Sequence, residues 1–243
     1  MKKYFTLLLI MVVLPALSLL YYTVEIAEPV DRVFLSISTF LYSIFTGFFV
    51  SRQASRFNKV RETVTRYDGL MSNMYRTSGH ISSSLQQAIV DVITAHYEKI
   101  FTTGQWNYHF TKKSTTLSSI HNLLDEHIKE KEVTKLSNQS IGAIVKSLGA
   151  AQDVRKSMLA LNRERVPFEQ WVLILFFVAM LIGTVSTMAS VGVLWPSVLK
   201  AAFVMSVLSV MFILYRLNNL AFTEDLMGAE SAQDVLDIIS GAK

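Results

Sequence analysis

Within residues 33–50 (VFLSISTFLYSIFTGFFV) lies a spacing that offers ion passage and no bond-making chemistry. At 100° per residue, Ser36, Phe40, Ser43, Ile44, Gly47, Phe48 and Ser51 fall on one helix face. Three large apolar residues recur at i, i+4 and i+8 beside hydroxyl groups and a glycine. A ring of such apolar side chains makes a constriction that gates by dewetting, and serine hydroxyls offer polar contacts beside it. Phe40, Ile44 and Phe48 are the candidate neck, with Ser36, Ser43, Gly47 and Ser51 as adjoining wall. Close helix–helix packing through the small residues accounts for the same spacing, so spacing alone leaves both readings open.

Groups for other chemistry are sparse. The histidines are His80, His96, His109, His121 and His127. His121 and His127 are six apart and do not share a helix face. No HExxH, glycine-rich phosphate loop or GxSxG occurs. His96 with Glu98, or His121 with Asp125 and Glu126, could form a weak metal site, but a solvated helix surface is the expected reading. No metal, no cofactor and no enzymatic activity is expected. The absence of cysteine excludes a disulfide framework, a lipid-modified cysteine and a thiolate metal site.

The elements that position the face are long apolar runs: residues 4–22, 33–50, 168–190 and 194–215. About 20 apolar residues cross a hydrocarbon layer of roughly 30 Å as a helix. Four spans are therefore expected, with a polar, helix-rich segment at 53–166. No Asp or Glu lies in the interior of any run, whereas proton-driven pumps and stators usually carry an intramembrane carboxylate. Lys200 is the one charge in the interior of a run, Glu169 lying at the edge of the third. It either snorkels to the outer headgroups or faces an aqueous outer vestibule and attracts anions.

Charge orients the spans. Residues 1–3, 51–167 and 216–243 hold 21 of the 23 Lys and Arg residues, and the loop TVEIAEPVDR carries three acids and one Arg. Positive charge stays inside, so both termini and the 53–166 domain are expected in the cytoplasm. Tyr4, Tyr21, Tyr22, Trp171, Trp195 and Tyr215 lie near span ends, where amphipathic rings prefer the interface. Met1-Lys2-Lys3 followed by an apolar run also reads as a signal peptide cleaved near Ala16-Leu17-Ser18, but the run continues through Tyr22, which favours an uncleaved span.

Periodicity within 53–166 is helical. The sets are Val60, Val64, Tyr67, Met71, Met74; Ile81, Leu85, Ile89, Val92, Ile100; Leu117, Ile120, Leu124, Ile128; and Ile141, Val145, Leu148, Val154, Met158, Leu161. Breaks are expected near Ser78-Gly79, at Thr102-Thr103-Gly104 and at Ser137-Asn138. No Pro interrupts the stretch from Arg52 to Leu70, so the second span is expected to run on as one helix. The fourth cytoplasmic helix is expected to lead into the third span, with Pro167 in its first turn. The fold expected is all-α: transmembrane helices 1 and 2 at 1–52, a cytoplasmic helical domain at 53–166, helices 3 and 4 at 167–216 and a cytoplasmic tail at 217–243.

The stretch Gly47-Phe48-Phe49-Val50-Ser51-Arg52-Gln53-Ala54-Ser55-Arg56-Phe57 resembles the bestrophin signature at the end of the second membrane helix: Gly-Phe-aromatic-Val-Ser/Thr, four residues, then Arg and an aromatic. Carried back along the helix, that family's apolar neck falls on Phe40, Ile44 and Phe48. Arg61, Arg76 and the four-span order fit bacterial members. So does a short amphipathic tail packed on the cytoplasmic domain, here 216–220 through Gly228 and Val235-Leu236. The resemblance implies a homopentameric channel, most often for anions such as chloride, in a bacterial inner membrane. Arg52 and Arg56 become inner-mouth or structural charges. The expected partners are copies of the chain itself, the bilayer and inorganic ions, and no nucleic acid. Two features depart from the family. Leu220-Ala221-Phe222 stands where many relatives have Pro-Phe-Gly, and Glu224, Asp225, Glu230 and Asp234 do not form the acidic cluster of a calcium clasp. The other readings open are a non-conducting scaffold or sensor that recruits a cytoplasmic partner, and a stator-like energy transducer.

Overall fold

A computed structural model describes residues 2–23, 32–104, 107–111, 115–130, 135–187, 193–220 and 228–241. All regular structure among the described residues is helical: α1 (Lys2–Thr23), α2 (Arg32–Ser78), α3 (Ser83–Thr103), α4 (Tyr108–Thr111), α5 (Thr116–Glu130), α6 (Lys135–Arg163), α7 (Phe168–Ser186), α8 (Leu194–Asn218) and α9 (Gly228–Ser240). The chain divides into two compact units, Met1–Ala54 with Arg165–Asn219, and Ser55–Glu164 with Leu220–Lys243.

The first unit is apolar. Helices within Val33–Ser78, Phe168–Ser186 and Leu194–Asn218 are long and apolar enough to cross a membrane. α1 is helical over 22 residues, and its described apolar part is the shorter Val12–Thr23. Residues 188–190 of the expected third run lie outside the described residues. Tyr42 and Phe49 of α2 pack with Ile174, Leu181, Val207 and Leu214 of α7 and α8. Phe45 stacks on Phe177 at 5.3 Å between ring centroids. The Tyr42 hydroxyl donates to the Val207 carbonyl at 3.2 Å. α1 packs on α8 through Tyr21, Ala201 and Val204, where the small Ala201 permits close approach.

The second unit is a water-type helical core. Val60, Val64, Tyr67, Met71 and Met74 of α2 meet Leu85, Ile89 and Ile93 of α3, Ile120 and Leu124 of α5, and Ile144, Ala151, Val154 and Met158 of α6. Ala232 and Val235 of α9 complete it. Ile128 and Val145, expected on buried faces, are exposed. Ser82 caps α3 by accepting from the Leu85 N–H at 3.2 Å. Gly104 ends α3 at φ 62°, a left-handed position that favours glycine.

Boundaries differ from expectation in two places. α6 begins at Lys135, before the expected break at Ser137-Asn138, and Ser137 is buried in its first turn. α6 also stops at Arg163 and does not lead unbroken into α7. The residue before a proline is pushed to extended backbone, and Pro167 takes the N-cap position of α7 at φ −59°, ψ 155°. The Val166 N–H, left without a helical acceptor, donates to Asn218 Oδ1 at 2.8 Å.

Candidate functional site

The first 20 or so residues of α2 carry the site. Their helical geometry brings Phe40, Ile44 and Phe48 onto one side, at 63%, 52% and 60% exposure. Ser36, Ser43, Gly47 and Ser51 are exposed beside them. A Cβ added at Gly47 meets nothing within 4 Å, so nothing in its own chain requires glycine there. The opposite side of the same helix is filled: Ser38, Tyr42, Thr46, Phe49 and Gln53 are buried. Thus α7 and α8 take one face of α2, and the seven residues singled out by spacing lie on the exposed side, together with Val33, Phe34 and Ile37.

The charges separate. Arg52 is exposed. Arg56 is buried; its Nε donates to the Leu161 carbonyl at 2.6 Å and its Nη2 to the Asn162 carbonyl at 3.2 Å. Those carbonyls end α6, where a cation complements the helix dipole and the last acceptors need donors. Lys200 is buried in the first unit, with Nζ 5.3 Å from the Tyr21 ring centroid. The Tyr21 hydroxyl lies 2.9 Å from Ser186 Oγ.

The second unit holds a buried polar cluster that residue types alone did not single out. Asp68 of α2 accepts from the Tyr97 hydroxyl at 2.6 Å and from the Ser231 hydroxyl of α9. Burial raises its carboxyl to about 6, against the two hydrogen bonds, which favour the charged form. His96 and His109 stack at 3.6 Å between centroids. His96 Nδ1 lies 2.9 Å from Thr116 Oγ1, and His109 Nε2 lies 2.8 Å from the His96 carbonyl oxygen. Burial, and then the second imidazole, lower His96 to about 3, so it is neutral near pH 7. Burial is also the largest cause lowering His109. Among the described residues no three His, Cys, Asp or Glu side chains come together to hold a metal ion. His121 lies 3.8 Å from Asp125 on the surface of α5.

These geometries are those of a membrane protein with a helical polar unit. Comparison with curated proteins and with solved structures returns no match. A family model described as the bestrophin-like domain matches residues 6–222, from within α1 to just beyond α8. The α2 signature, the apolar helices and that match agree, and they fit a membrane protein of channel type: the chain belongs to the bestrophin-like family.

Proposed function

We propose that the chain assembles as an oligomer, a pentamer by family resemblance, and conducts ions, chiefly anions, along an axis lined by α2. Phe40, Ile44 and Phe48 form the neck. Ser36, Ser43, Gly47 and Ser51 form the adjoining wall, and Arg52 supplies an inner-mouth charge. The observation that carries this reading is the division of α2. Its packed face uses Tyr42 and Phe49, while the face with a channel-type pattern stays exposed on a single chain. A pore wall is completed only by neighbouring copies, and a ring-closing contact supplies them. The exposed Gly47 leaves room for such a copy.

In this reading α1, α2, α7 and α8 all span the bacterial inner membrane. The unit containing Ser55–Glu164 faces the cytoplasm with both termini, as the distribution of Lys and Arg favours. Arg56 is a structural charge that ties α2 to the end of α6.

Planar bilayer recording tests the neck. Replacing Phe40, Ile44 and Phe48 together with Ala widens the constriction and removes the dewetting barrier, so unitary current or open probability rises severalfold. Unchanged currents would show that this face is turned to lipid. Imaging of the detergent-solubilised oligomer, with α2 innermost, is the structural counterpart.

A further inference from the structure

In the unit that contains Ser55–Glu164, His96 of α3 and His109 of α4 lie face to face, 3.6 Å between ring centroids and 17° from parallel. Both are buried. A carbonyl oxygen only accepts, so the 2.8 Å contact of His109 Nε2 with the His96 carbonyl places the proton of neutral His109 on Nε2, and a second proton goes to Nδ1. His96 Nδ1 pairs with the Thr116 hydroxyl of α5 at 2.9 Å. Both histidines line a cleft of about 340 Å³, together with Lys99, Tyr108 and Ser119. That cleft gives protons a route to the pair.

The surroundings suit the neutral pair and not its charged forms. From α2 the Tyr67 ring stacks on His96 at 5.7 Å, and from α3 the Tyr97 ring meets it edge to face at 5.1 Å. From α4 the Tyr108 ring stands edge-on to His109 at 5.1 Å. Burial, then Lys99 of α3 and Arg155 of α6, hold His109 below its ordinary value, against the hydrogen bond to the His96 carbonyl. Asp68 is reached through the Tyr97 hydroxyl and also accepts from Ser231 of α9. Raised by burial to about 6, it is itself largely protonated at pH 5 and does not balance a new cation there. A proton on either imidazole is thus a charge held out of water, and protons on both are like charges one ring stack apart.

Of the elements around the pair, α4 is the least able to resist. It is a single turn of 4 residues, against 21 for α3 and 15 for α5, and one turn has little cooperative stability of its own. Among its holds are His109 Nε2 on the His96 carbonyl, Arg155 Nε on the His109 carbonyl at 3.4 Å, and the Phe110 ring edge-on to Tyr67 at 5.2 Å. We propose that the His96–His109 stack is an acid-released clasp: while both rings are neutral it fixes α4 to α3, and proton uptake by the pair frees α4 in a local opening that leaves α2, α3, α5 and α6 packed. Histidine is the side chain whose ordinary titration falls between pH 5 and 8, and folds commonly yield in part, below the free energy of global unfolding. Burial and the neighbouring imidazole hold His96 near 3 in the closed state, and full release to water returns it to about 6.5. Between pH 7 and pH 5 the opening equilibrium therefore rises by up to roughly 25-fold from His96. His109 adds to it in the same direction. The clasp is independent of ion conduction.

Hydrogen exchange on the full-length protein in detergent tests it, expressed as protection relative to the intrinsic rate at each pH. The reporter is the Phe110 amide, which donates to the Asn107 carbonyl at 3.1 Å. From pH 7 to pH 5 its protection is expected to fall about tenfold or more and to be insensitive to sub-denaturing urea, while residues 144–158 of α6 stay better protected. His96→Phe combined with His109→Phe keeps two stacked rings without a titrating group, and its Phe110 protection is expected to be the same at both pH values. Should that pair not fold, His109→Phe alone is expected to show a smaller fall than the wild type. No fall in the wild type, or an undiminished fall in either variant, would overturn the proposal. So would one common protection for α4 and α6, because the unit would then open only as a whole.

Discussion

Over residues 32–54 of α2, Phe40, Ile44 and Phe48 are exposed while Ser38, Thr46 and Gln53 are buried; over residues 55–78, Val60, Tyr67, Met71 and Met74 are buried while Lys59, Arg61, Glu62 and Arg66 are exposed. One uninterrupted helix thus carries two burial patterns: in the first stretch Tyr42 and Phe49 are buried too, but polar groups join them inside and large apolar ones stay outside. In the second stretch water drives apolar area inward, at roughly 25 cal/mol per Å². In the first, a lipid surround removes that drive, and helices hold together through close packing and polar contacts. The Tyr42 hydroxyl on the Val207 carbonyl is one such contact. The lesson concerns the sites: large apolar residues left outside in the first stretch are free to serve an interface or a pore, whereas in the second they are committed to the core.

Truncating one residue from each stretch strains this contrast most. Met71→Ala opens a cavity in a fully buried position and is expected to cost about 2–5 kcal/mol. Phe48→Ala, on the exposed face, is expected to cost under about 1 kcal/mol in the separated subunit. Thermal unfolding in detergent measures both, and equal losses would erase the distinction. The paired arginines come next. Arg56→Met strips donors from the Leu161 and Asn162 carbonyls and is expected to cost about 2 kcal/mol. Arg52→Met, at an exposed position four residues earlier, should change stability by about 0.5 kcal/mol or less. A comparable loss in both would mean that Arg52 is structural as well.

The smallest effect is the titration of Asp68 in the polar unit. The folded state raises Asp68 from its model-peptide value to about 6, so the fold binds its proton more tightly than the unfolded chain does. Lowering pH from 7 to 5 therefore adds about 1 kcal/mol of stability from this group. His96 acts in the opposite sense. Its folded value near 3 means that stability is lost as pH falls below about 6.5, by about 2 kcal/mol at pH 5. Asp68→Asn removes the offset and is expected to steepen the acid loss by about 1 kcal/mol, read from unfolding midpoints at pH 7 and pH 5. A loss no steeper than that of the wild type would mean that Asp68 does not take up a proton in this range.

The periodic parts of the chain were legible. Val60, Val64, Tyr67, Met71 and Met74 follow from three-to-four spacing, and the run without Pro foretold the unbroken α2. The break at Gly104 needed only the residue's tolerance of positive φ. Burial of Asp68, His96 and Arg56 was not legible, because charged and polar types argue for a solvated surface. Their partners, Tyr97, Ser231, Thr116 and Leu161, come from distant segments with no local signal. Tyr67 shows the limit from the other side. Spacing marked it as core, and it is buried, yet it also lines a cleft between α5 and α6. The seven-residue face on α2 was legible as a face; what surrounds it depends on other molecules.

The placement of α9 bears on how the protein is made. Ala232 and Val235 fill the core of a unit whose other helices lie before residue 165, and Ser231 holds Asp68. A ribosome must synthesise both α7 and α8 before that last piece arrives. At roughly 5–20 residues per second, the nascent bundle waits on the order of ten seconds with one flank unsealed. A premature stop ahead of residue 228 would make that interval permanent, leaving the apolar surface that Ala232 and Val235 cover open to water. Supplying the missing helix as a separate peptide would close it again.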